Sequence, residues 1–200
     1  GGVGSMVRSL TQLVAVRFAV AAVASAALAL AAASPAAAGL PKPAAKTIVP
    51  GKSIGGLGFG GSQASVEKAW GPYPGGTCEQ ICTYGAPHGG AAGEVRLESA
   101  DSVHYKAFEV LIRTGIESKG AKDVAGCDTP LVGWKTSKGI HLCSKVGELK
   151  KAYPGLRPDG ASAYVLKGPG QAATIFSLTE DKLVFLISIV ARFQEGQPGE

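Results

Sequence analysis

Two stretches decide the fold: residues 52–72, KSIGGLGFGGSQASVEKAWGP, and residues 135–155, KTSKGIHLCSKVGELKKAYPG. They are nearly the same phrase, 83 residues apart. Lys52, Gly56, Lys68 and Ala69 recur as Lys135, Gly139, Lys151 and Ala152, and the apolar Leu57, Phe59, Val66 and Trp70 fall on Ile140, Leu142, Leu149 and Tyr153. Aligned apolar positions are the signature of a repeated packing unit. Each copy predicts an alternating strand (Leu57 and Phe59; Ile140 and Leu142) and a small capping residue, Ser62 or Gly61 in one and Ser144 in the other. A short helix follows, with an apolar stripe of Val66, Ala69 and Trp70, or of Val146, Leu149 and Tyr153. Gly71-Pro72 and Pro154-Gly155 stop the two helices, and the last-turn aromatic is expected to anchor each on a sheet.

Strands are predicted after both helices. In the first copy they cover residues 77–85, 93–99 and 103–114; in the second, 162–168, 172–179 and 182–193. Leu183 to Ala191 reads as a central buried strand, entered through a hairpin turn at Thr179–Lys182. Residues 115–133, with Gly115, Gly120, Gly126 and Pro130, read as a connector, and Trp134 opens the second half and packs against it. The fold class is therefore α+β, two tandem repeats, each a short helical segment on an antiparallel sheet of about four strands. The organisation is 1–38, 39–119 and 120–200, with a frayed tail at the end. Whether the two sheets are continuous is left open.

The first segment reads as an export signal with leader residues. Arg8 and Arg17 precede an uncharged apolar run, Phe18 to Ala33, and Ala36-Ala37-Ala38 supplies the small residues for cleavage near Ala38. Gly1 to Ser5, ahead of Met6, read as cloning residues or a misplaced start. Removing Arg8 and Arg17 from 20 basic residues leaves 18 against 15 acidic ones. So even a balance gives no concentrated basic surface for nucleic acid. After cleavage no membrane attachment is expected, and the protein is expected to be a secreted bacterial monomer. Four cysteines in an exported chain read as two disulfides, and Cys78–Cys82 with Cys127–Cys143 keeps each bridge inside one copy. The first bridge requires a turn at Glu79-Gln80-Ile81.

The phrase of small and aliphatic residues, Ser or Thr, a Val or Leu four residues on and a Trp or Tyr before Gly or Pro, used twice ahead of strands, resembles the β-lactamase inhibitory protein family. It is also similar to the BamE-like envelope lipoproteins, which share the single-copy fold. The resemblance, over residues 50–195, implies tandem helix-on-sheet units in a secreted bacterial protein with one disulfide per copy. The inhibitor's binding loops and the lipoprotein's acylated cysteine have no counterpart here, so it implies architecture and not inhibition of a β-lactamase.

Chemical motifs have structural explanations. Gly56 to Gly61 spells G-x-G-x-x-G, with Glu79 placed as a ribose-binding acid would be, but the parallel βαβ setting is missing. Ser62 sits at a strand-to-helix turn like a nucleophile elbow, with His88, His104, His141, Asp101 and Asp128 as partners, yet helix capping explains it. Cys78, Cys82 and His88, or His141 and Cys143, form a loose metal pattern that oxidation of the thiols would remove. No catalytic residue, metal or cofactor is expected. The chain reads as a non-enzymatic protein-binding module, inhibitor-like, for an unidentified extracellular or envelope protein; a cell-envelope assembly or structural role is the alternative. Tyr84, His88, Tyr105, Tyr164 and Phe176 are the expected contact residues on a concave sheet face.

Overall fold

The computed structural model describes residues 39–78, 80–85, 90–99, 105–115 and 127–192. Residues 1–38, Glu79, His88, Asp101, His104 and residues 193–200 lie outside the described residues, as does the side chain of Tyr105. In chain order the elements are β1 (Thr47–Val49), β2 (Ser53–Ile54), β3 (Leu57–Gly58), α1 (Gln63–Trp70), β4 (Ile81–Gly85), β5 (Ala92–Ser99) and β6 (Tyr105–Arg113). A 3-10 turn (Pro130–Gly133), β7 (Lys135–Thr136), α2 (Val146–Ala152), β8 (Arg157–Asp159), β9 (Ala163–Lys167), β10 (Ala173–Leu178) and β11 (Val184–Val190) follow.

The fold is α+β. One antiparallel sheet of seven strands runs β4-β5-β6-β11-β10-β9-β8, and a small sheet runs β3-β2-β1-β7. The question of continuity is answered by β6 and β11, which pair antiparallel through Ile112 opposite Ile187 and Val110 opposite Ile189. β11 is the middle strand, as its β-branched run predicts. Strand positions follow the sequence reading closely because alternation places Cys82, Tyr84, Val95, Val110, Ile112, Phe176, Ile187 and Ile189 in one core with Val66, Trp70 and Leu149 of the helices.

Two expectations are corrected. Ile140 and Leu142 are buried but lie in turns, not in a strand, because Gly139 and Cys143 have left-handed φ values of 81° and 70° that break extended backbone. Ser144 does not cap α2. The cap position is Lys145, whose N–H donates to Glu148 Oε2 at 2.9 Å, while Ser144 Oγ accepts from the His141 N–H at 3.1 Å and closes the turn before it. Ser62 does cap α1, accepting from the Ser65 N–H. Trp134 packs edge-on against Trp70 of α1, ring centroids 5.8 Å apart, and so ties the 3-10 turn to the first helix. Gly55 makes room for this: a Cβ there would stand 2.5 Å from the Trp134 ring and 2.9 Å from Trp70 Nε1.

Some backbone features ahead of the two helices recur 83 residues apart. Gly56 and Gly139 share a φ of 81°, and Gly60 (75°) is matched by Cys143 (70°). The Gly60 N–H and Gly61 carbonyl both bond Ala107, and the Cys143 N–H and Ser144 carbonyl both bond Val184.

Candidate functional site

Cross-strand register separates the two faces of the large sheet. One row, Tyr84–Gly93–Ile112–Ile187–Phe176–Tyr164, lies on the helix side. A second, Ile81–Arg96–Glu109–Val190–Ala173–Lys167, lies three residues away on each strand and so faces the other way.

This arrangement overturns two of the expected contact residues. Tyr84 is 1% exposed: it packs edge-on against Trp70 and Tyr73, and its hydroxyl donates to the Gly71 carbonyl at 2.9 Å. Burial, with the Glu67 carboxylate and Tyr73 adding to it, pushes its phenol up to about 12. Phe176 is wholly buried and stacks on Tyr153. Both rings fill the space between helix and sheet, so neither is available to a partner. Tyr164 is half-buried on the same side, with the Lys150 ammonium 4.9 Å from its ring centroid. His88 and the Tyr105 side chain lie outside the described residues, and the other three do not form one exposed surface.

Exposed apolar surface occurs elsewhere. Ile81, 52% exposed, opens β4, the end strand of the sheet. Phe108, 36% exposed, is the extra residue where β6 bulges between its pairings with Arg96 and Leu97. Between them Arg96 Nη1 meets Glu109 Oε2 at 3.4 Å, and Glu109 Oε1 accepts from Ser188 at 2.6 Å. Period-two reading from Cys82 and Tyr84 puts Ile81 outward, so its exposure was legible. Phe108 was not, because alternation with Val110 and Ile112 directs it into the core and only the bulge turns it out.

The two edges of the sheet differ. β8 is three residues long and reads Arg-Pro-Asp, the charges and proline that discourage strand addition. β4 is Ile-Cys-Thr-Tyr-Gly, uncharged and without proline, and among the described residues no strand pairs with its outer edge.

The remaining chemical leads resolve locally. Cys78 is bonded to Cys82 and Cys127 to Cys143, with Cα separations of 5.3 and 5.9 Å, so none of these thiols is free to hold a metal. Five consecutive positions fit within 5.3 Å only if the chain turns, as expected ahead of Cys82. The backbone of Gly60 and Gly61 is bonded to β6 and is not presented to a phosphate. His141 Nδ1 is held against the Leu142 carbonyl. It lines, with Lys138, Ser144, Glu148 and Lys151, a cleft of about 550 Å³ beside α2. Among the described residues no three His, Cys, Asp or Glu side chains cluster, and no helix is long and apolar enough to cross a membrane.

No protein-family model matches the chain, and no curated protein matches it. Among solved structures it is similar to YjgB, a DUF4309 family protein from Bacillus subtilis subsp. subtilis str. 168. The identity is 14% and the TM-score 0.38, over 66% of this chain and 78% of that one.

Proposed function

We propose that the chain is an exported, non-enzymatic protein-binding module whose partner docks across the β4 end of the large sheet. One observation carries this reading: Ile81 is exposed on the uncharged edge strand β4 and Phe108 two strands in, whereas the opposite edge is guarded. Unpaired strand edges accept an extended segment of another chain, and flanking apolar side chains give the contact its affinity. Two disulfides fit an oxidising compartment, which supports export with cleavage near Ala38. Matching φ values and paired backbone bonds 83 residues apart support a tandem duplication over 39–119 and 120–200, the architecture that the resemblance to β-lactamase inhibitory proteins implies.

A photo-crosslinking residue at position 81 in the producing cells tests the docking surface. The expected result is one discrete adduct, reduced about tenfold by Phe108→Asp in a chain that still folds and is exported. Adducts equal to those from exposed position 180, or insensitive to Phe108→Asp, would sink the proposal. An adduct that sediments with the envelope favours the assembly role over a freely secreted binder.

A further inference from the structure

The cleft beside α2 is lined by polar side chains that the first segment lacks. At an offset of 83, Lys138, His141, Ser144 and Glu148 correspond to Gly55, Gly58, Gly61 and Ser65. Among the charged lining residues, the first segment keeps a counterpart for Lys151 alone, at Lys68.

The electrostatics of the cleft are one-sided. Lys138 Nζ donates to the Ala152 carbonyl at 2.7 Å, in the last turn of α2, and sits 4.8 Å from the Tyr153 ring centroid. The ammonium is therefore fixed by a hydrogen bond, the helix dipole and an aromatic face, and two of its three donors remain for a ligand. A cation already held in place loses little side-chain entropy on binding. Across the cleft, no acid among the described residues pairs with Lys151. The single lining acid, Glu148, already accepts the Lys145 N–H through Oε2. Two lysines against one committed glutamate leave an excess of one positive charge, which matches one carboxylate. No arginine lines the cleft, so the planar fork that suits phosphate is absent from its described lining.

We propose that this cleft binds a carboxylate side chain on an acidic segment of a partner protein, a second contact that stands independently of the β4 surface. The test is an amide NMR titration of the full, disulfide-bonded protein at low salt, with blocked tetraglutamate, blocked tetraglutamine and inorganic phosphate as probes. Tetraglutamate is expected to shift the Gly139 and His141 amides saturably and tetraglutamine to leave them unmoved. Lys138→Gln is expected to weaken the response about tenfold, and Lys106→Gln and Ile81→Asp to leave it unchanged. If Lys138→Gln disturbs the spectrum as a whole, Lys151→Gln is read in its place. Shifts spread over exposed lysines, a response unchanged in these variants, or tighter saturation by phosphate would overturn the assignment.

Discussion

At the scale of single residues, Gly60 and Cys143 pose one problem with two solutions. Each occupies left-handed backbone, at φ values of 75° and 70°, where its N–H bonds the neighbouring strand. Glycine adopts this conformation freely, while an L side chain there costs about 1–2 kcal/mol. The bridge to Cys127 offsets that cost in the second segment by restricting the unfolded chain. A consequence follows for a protein that lacks the bridge. In a Cys127→Ser background, Cys143→Gly is expected to be about 1 kcal/mol more stable than Cys143→Ala, measured by urea denaturation. Equal stabilities would show that the backbone at residue 143 is not strained.

At the scale of elements, α1 and α2 are short and owe their stability to packing and caps. Ser62 supplies the cap of α1 from the cap position itself; in α2 that position is Lys145, and Glu148 reaches back to it instead. Ser62→Ala is expected to lower stability by about 1 kcal/mol, and Glu148→Ala by a comparable amount. A thermal melt of each variant checks this, and a Glu148→Ala protein as stable as its parent would remove the back-reaching carboxylate as a cap. The same comparison explains what was legible in the sequence. Strands 92–99 and 173–178 were readable because period-two alternation and burial coincide, and 184–190 because its β-branched run suits a central strand. The short turn segments were not, since Gly139, Cys143 and the β6 bulge interrupt a pattern without changing its composition. Aromatic character suggests a surface role for Tyr84 and Phe176, but their parity with Cys82 and Leu178 directs both inward.

At the scale of the whole molecule, the central pairing of β6 with β11 joins the two segments through backbone hydrogen bonds and a common core. Trp70 and Trp134 meet across the same junction. Neither segment completes the sheet or the aromatic cluster alone. Unfolding is therefore expected to be a single transition, with tryptophan fluorescence and far-ultraviolet circular dichroism giving the same midpoint in denaturant. Two separated midpoints would mean that residues 39–119 and 120–200 fold as independent units.

The unequal edges of the large sheet also give it a polarity. A strand that extends it is expected at β4, because Pro158 and its charged neighbours discourage pairing at the β8 end. Growth by copies of this chain would then stop at once: two sheets joined through their β4 edges would present only β8 outward, on both sides. The same asymmetry thus favours pairing of two copies through this sheet over its growth into a fibre.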